Sequence, residues 1–271
     1  MKSSGYSRSN FLRERTILDS ALFSIYPIAW ILKSGVVMDF MREADETEPS
    51  DERRREFLVA DYAAGEHDRI SSFFIKILHE IDSVPNTIKR ATVYCIDLHA
   101  LRLDSLLGKL EESHLLDRAR VVQARLESMD LEAIFRPDMI EYLNQNPTEI
   151  TWLDRDILLN KRIQSESFDI GILNNDVVGY LHEYYKEYSN AALALKQVFQ
   201  TIRSGGLLIV TMPCSLYVVD NVAVLESVGF KFVEGVDIDL DVGKVSIIDR
   251  NVSPRSMSKL DHYSFLVFSR V

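Results

Sequence analysis

The sequence predicts an α/β fold: a mostly parallel sheet of seven strands, helices on both faces, a last strand that pairs antiparallel, and a helical cap at the N-terminus. Three observations carry this. From Phe57 onward, short apolar and β-branched runs alternate with segments of helical period. The 271 residues are 46% hydrophobic, which suits one large domain. The last two runs, "FKFVEGVDI" and "YSFLVFSR", have no helical period between them, so they can pair antiparallel.

The N-terminal part is helical. The apolar run Ala21–Leu32 ends at Lys33, short of the roughly 20 residues a membrane span needs, and no cleavage pattern follows it. A charged stretch, "EADETEPSDERRRE", then divides residues 1–55, a helical cap and linker, from a domain over 56–271. Phe23, Tyr26 and Trp30 lie three and four residues apart and read either as core packing or as a roof over an acceptor pocket.

The strands and helices of the domain follow in order. "EFLVADY" is the first strand, and Ile70, Phe73, Phe74, Ile77 and Ile81 mark one face of the first helix. "ATVYCIDL" is the second strand; Leu103, Leu106, Leu107 and Leu110 give the next helix. Between Glu111 and Pro147, Leu115, Ala119, Val122, Leu126 and Met129 keep a helical spacing, and Ala, Arg, Gln and Glu favour a helix. The alternative is that "RARVVQARL" is the third strand. "RPDMIEYLNQ" is a short helix with Pro137 in its first turn. "EITWLDRDI" and "SFDIGILNND" read as strands, and "NAALALKQVFQTI" as a helix stopped at Ser204-Gly205-Gly206. "GLLIVTMP" is a strand and "VAVLESVGF" a short helix.

Composition excludes several functions. A net charge of -10 argues against a grip on a nucleic-acid backbone. Cys95 and Cys214 form no CxxC pair and read as buried and reduced, which points to the cytoplasm. The histidines and carboxylates show no metal spacing. No membrane contact is expected, and a homodimer is left open.

In an open parallel sheet, ligands bind outside the carboxyl ends of the strands. Asp61, Asp97, Asp156 and Asn174 end predicted strands. A carboxylate at the end of the second strand suits a ribose, because its two oxygens accept from two hydroxyls.

These motifs resemble the class I S-adenosylmethionine-dependent methyltransferases, which are Rossmann-like, over about residues 56–271. "LVADYAAGEHD" is similar to the first motif, with Asp61 at its acidic position, Ala63 in place of the first glycine and Gly65 as the second. "VYCIDL" is similar to the ribose-binding strand end, which implies Asp97 on the ribose hydroxyls and Leu98 beside the adenine. "ITWLDRDIL" is similar to the segment whose acid reaches the adenine amino group, giving Asp156 and Ile157. If "RARVVQARL" is the third strand, that contact moves to Arg125–Glu127. "FDIGILNNDVVGYL" is similar to the fourth motif, which implies Asn174 as a cofactor-binding residue, with Asn174, Asn175 and Asp176 also able to orient an acceptor, and "IRSGGLLIVTMP" is similar to the following strand.

The resemblance implies S-adenosylmethionine as cofactor, with S-adenosylhomocysteine as product, and a small-molecule acceptor methylated by in-line displacement. Asp176, Tyr180 and His182 are the candidate catalytic residues; each has a structural alternative. Ala63 is expected to keep a negative φ, because a left-handed alanine is strained. Two other functions stay open: transfer of another group of the same cofactor, and a non-catalytic module that senses the ligand or binds a protein.

Overall fold

The computed structural model describes residues 27–46, 56–80, 91–184, 188–212, 218–239, 244–248 and 262–271. One sheet of nine strands organises them, in the order β4-β3-β2-β1-β5-β6-β9-β7-β8. Its strands are β1 (Leu58–Tyr62), β2 (Thr92–Asp97), β3 (Ala119–Ala124), β4 (Ala133–Phe135), β5 (Phe168–Leu173), β6 (Ile202–Met212), β7 (Phe230–Asp239), β8 (Val245–Ile247) and β9 (His262–Arg270). Five neighbours, β3-β2-β1-β5-β6, are parallel. β9 runs antiparallel to both β6 and β7 and lies between them. The short strands β4 and β8 extend the two edges, so the body between them has seven strands, the number expected, although one of the seven is not the segment expected.

Strand order reverses at β1: the chain moves outward to β2 and β3, then returns to β5 on the other side. Such a switch point opens a crevice above the strand carboxyl ends. β1 and β2 are buried along their whole length, as continuous apolar runs in a parallel sheet must be.

Among the described residues, eight further elements are α-helical. They are α1 (Gly35–Glu46), α2 (Arg69–Ser71), α3 (Ala100–Glu112), α4 (Pro137–Gln145), α5 (Trp152–Asn160), α6 (Val177–Tyr184) and α7 (Tyr188–Thr201), with α8 (Val218–Val228) completing the order. α2 continues as a π-helical stretch over Ser72–Ile77 and a 3-10 turn over Leu78–Glu80. Pro137 sits in the first turn of α4, where its missing N–H leaves no bond unmade.

Two elements differ from the sequence expectation. Ala119–Ala124 is the third strand, not part of a helix. Its helix-favouring composition is overridden by a tertiary network. Arg120 is fully buried and donates through Nε to Asp154 Oδ2 at 2.8 Å and through Nη2 to the Glu149 carbonyl at 2.7 Å. Tyr94 of β2 donates to the other oxygen of Asp154. The second difference is its counterpart: Trp152–Asn160 is helix α5, not a strand. Thr151 accepts from the Asp154 N–H while Asp154 accepts from the Thr151 N–H, a capping box that starts the helix.

The described part of the N-terminal segment, residues 27–46, is helical. A 3-10 turn, Pro27–Lys33, leads through Ser34 into α1. Trp30 packs on Ile238 and Tyr263 of the β7–β9 pair, and the Ser34 hydroxyl bonds to Glu234. Farther along, Phe40 meets Phe57, just before β1, and the Arg203 guanidinium near the start of β6. The described part of the segment therefore runs along the sheet toward the strand amino ends and contributes nothing to the cleft. It is a flanking layer there; the rest of the expected cap, residues 1–26 and 47–55, lies outside the described residues. Phe23 and Tyr26 lie outside the described residues, as does Cys214; Cys95 is free and buried.

Candidate functional site

A cleft of about 420 Å³ opens at the carboxyl ends of β1, β2, β3 and β5. Its floor is Asp61, the next-to-last residue of β1, which is 3% exposed. Asp61 makes no hydrogen bond with a described residue. Burial first, and the nearby Asp97 carboxylate second, hold its carboxyl well above the usual range. A cation entering the cleft would reverse that shift.

The loop after β1 forms one wall. Ala63 and Gly65 both have left-handed φ, 59° and 64°. The expected negative φ of Ala63 is thus corrected: the Ala64 N–H donates to the Ile96 carbonyl at 3.1 Å, and this tie to β2 accompanies the tight turn. The Gly65 N–H donates to Asp97 Oδ2 at 3.0 Å, and Lys109 of α3 donates to the Glu66 carbonyl at 2.6 Å. A Cβ at Gly65 would meet no atom within 4 Å, so the space over the loop is open to the cleft.

Asp97, at the end of β2, forms the second wall with Leu98. Its other oxygen accepts from the His99 N–H at 2.8 Å. Each carboxylate oxygen keeps a lone pair for a further donor. The Leu98 carbonyl accepts from Gln123 Nε2, and Gln123 Oε1 accepts from Arg136, whose guanidinium forks onto Asp104 at 2.7 and 3.1 Å. A bidentate arginine thereby fixes the backbone beside the cleft.

The third wall follows from the true β3. Ala124 and Leu126 line the cleft, at the place the alternative third strand implied. Asp156 and Ile157 do not. They ride on α5, where Ile157 is in the core and Asp156 accepts from Asn160 at 2.6 Å. A helix in place of the expected strand carries them away from the strand ends.

The fourth wall begins at the end of β5. Asn174, Asn175, Val177, Tyr180 and Leu181 line it. Asn175 and Asp176 take consecutive left-handed conformations, φ 68° and 63°. Asp176 does not line the cleft. Its Oδ1 accepts from the Gly179 N–H and from Asn221, so it caps α6. A side chain at Gly179 would strike that carboxylate at 2.7 Å. Tyr180 is exposed at the rim; His182 lies in α6, with its side chain outside the described residues.

Sequence reading missed Ala64, His99, Arg102, Val177 and Leu181 as lining residues. Leu126 was readable only if Val121 and Val122 were taken as a buried strand. His99 and Arg102 carry no motif; only the fold places them. Among the described residues, no helix is long and apolar enough to cross a membrane, and no group of side chains is set to hold a metal ion.

No family model matches the chain, and no curated protein matches it in sequence. Solved structures do match in shape. A putative sarcosine dimethylglycine methyltransferase from Galdieria sulphuraria is 9% identical, with 91% of this chain and 86% of that one covered at a TM-score of 0.51. A SAM-dependent methyltransferase from Aquifex aeolicus is 10% identical, with 98% and 100% covered at 0.49. Geranyl diphosphate C-methyltransferase from Streptomyces coelicolor, solved with Mg²⁺, geranyl diphosphate and S-adenosyl-L-homocysteine, is 9% identical, with 100% and 90% covered at 0.44. The chain has the Rossmann-like fold of class I S-adenosylmethionine-dependent methyltransferases.

Proposed function

We propose that the protein binds S-adenosylmethionine in this cleft and transfers its methyl group to a small-molecule acceptor. The observation that carries the reading is Asp61: a buried carboxylate without a hydrogen bond to a described residue, facing a second carboxylate, on the floor of an open cleft. That arrangement suits a ligand that is cationic and also rich in hydroxyl donors.

The residues fit the cofactor part by part. Asp61 meets the positive end, Asp97 accepts from the ribose hydroxyls, and Leu98, Ala124 and Leu126 enclose the base. The open space over Gly65 admits the amino-acid tail against the loop backbone. Arg69, at the start of α2, lines the same cleft and suits the tail carboxylate. When bound, the cofactor supplies an electrophilic methyl carbon on a sulfonium. Direct displacement at such a carbon needs alignment and dryness more than acid–base work. Val177 and Leu181 supply apolar surface on the acceptor side, and Asn174 supplies a polar anchor.

A thermal-shift series tests this reading. S-adenosylhomocysteine at about 100 times its dissociation constant stabilises a one-site protein by about 2.7 kcal/mol. A shift with S-adenosylhomocysteine and a smaller one with adenosine is the expected result; no shift with either contradicts it. A second reading, a ligand-sensing or protein-binding module without catalysis, draws on the strained Ala63 and on the Asp176 carboxylate being committed to capping. Ligand binding without methyl transfer to any acceptor would favour it.

A further inference from the structure

We propose that the acceptor presents an oxygen to the cleft — a carboxylate, phenolate or enolate — and that Thr211 is the positioning residue that makes Asn174 a hydrogen-bond donor to it. The inference rests on the proposed methyl-transfer reading and specifies its substrate class.

Thr211, near the end of β6, is fully buried. Its hydroxyl oxygen lies 2.9 Å from the Asn175 N–H and 2.6 Å from Asn174 Oδ1. The backbone N–H can only donate, so the hydroxyl accepts there. Its single hydrogen then has one use, donation to Asn174. The 2.6 Å separation is that of an O–H···O bond and is short for an N–H···O bond. With the amide reversed, a buried hydroxyl hydrogen would be left without an acceptor, an arrangement that folded proteins avoid. The amide orientation is therefore fixed, with Oδ1 held by Thr211.

Three consequences follow for the cleft. Asn174 Nδ2, which makes no hydrogen bond with a described residue, carries the two N–H groups available to a ligand at the end of β5. Of the acceptor atoms nearby, Asn174 Oδ1 is committed to Thr211 and Asp176 Oδ1 to the Gly179 N–H and Asn221. Thr211 also accepts the Asp176 N–H at its carbonyl, at 2.8 Å, so one residue pins the whole left-handed turn. An incoming amine, which donates, finds another donor in the Asn174 amide. An oxygen anion finds a partner in the Asn174 N–H groups.

The test uses the full chain with ¹⁵N-labelled asparagine side chains and S-adenosylhomocysteine, whose binding is first established by calorimetry. Failure of S-adenosylhomocysteine to bind overturns the cofactor reading and this proposal with it. With it bound, benzoate and benzylamine are titrated separately while the Asn174 side-chain amide resonances are followed. Benzoate should shift them and bind at least about tenfold more tightly than benzylamine, a difference of about 1.4 kcal/mol. Thr211→Val should abolish that preference while keeping S-adenosylhomocysteine affinity; Thr211→Ser should retain both. Equal or tighter binding of benzylamine, or no response to benzoate, overturns the proposal and leaves the cofactor reading standing. The cofactor has its own carboxylate, so 5′-methylthioadenosine, which lacks it, is the control. An Asn174 shift on adding S-adenosylhomocysteine but not 5′-methylthioadenosine, followed by no response to benzoate, assigns the oxygen to the cofactor and also overturns the proposal.

Discussion

The Gly65 N–H donates to Asp97 Oδ2 at 3.0 Å, so the loop after β1 and the end of β2 are tied across the cleft by the residue proposed to hold the ribose. Asp97 therefore has two tasks, shaping the loop and accepting from the ligand. Asp97→Ala should raise the dissociation constant for S-adenosylhomocysteine by about 10- to 100-fold, because hydrogen bonds to a charged group contribute about 1.5–3 kcal/mol. Calorimetry on the folded variant checks this, and unchanged affinity removes the assignment.

Ala63 holds φ 59° without the freedom of a glycine. Ala63→Gly should relieve about 1 kcal/mol of strain. For a chain of this size that is a rise in Tm of about 2–4 °C. Ligand affinity should stay within a few fold. Gly65→Val places a branched side chain at φ 64° in the open part of the cleft and should remove binding. A Gly65→Val protein that binds normally would show that the ligand does not lie against this loop.

The raised carboxyl of Asp61 makes stability fall with pH. Its folded pKa exceeds the unfolded value, which is about 3.9. Between the two values the native state keeps a proton that the unfolded chain has lost, so stability declines as pH rises through that window. Asp61→Asn should flatten the decline and stabilise the free protein at neutral pH while weakening S-adenosylhomocysteine binding. Denaturant unfolding from pH 4 to 8 reads the first effect. A cationic ligand should also release a proton on binding in that window, visible as a buffer-dependent calorimetric heat. Identical pH profiles for wild type and variant would contradict the argument.

The Arg120–Asp154 pair is wholly buried and joins β3 to the start of α5. Asp154→Ala strands the guanidinium and removes half of a capping box. It should cost about 3–5 kcal/mol. Urea unfolding measures this, and a loss below about 1 kcal/mol would show that the pair does not hold β3 to α5.

The same pair explains where sequence reading failed. β1, β2, β5 and β6 were legible as apolar runs because both their faces are buried. β3 was not, since Ala119, Arg120 and Gln123 favour a helix in isolation, and nothing local reveals that Arg120 will be buried against Asp154. Its partner segment failed in mirror image: "TWLD" hides a capping box inside what looks like an apolar strand. Asp61, Gly65, Asp97 and Asn174 were legible as cleft residues because strand ends are fixed by the strands themselves. Asp156 was not, because its element was misassigned, and the commitment of Asp176 to capping α6 depends on Gly179 and Asn221.

The central claim is that this cleft holds the methyl-donor cofactor, and calorimetric titration of well-folded wild-type protein with S-adenosylhomocysteine tests it most directly. The account predicts saturable one-to-one binding that weakens in Asp97→Ala and disappears in Gly65→Val. No heat and no thermal shift with the ligand at millimolar concentration would contradict it.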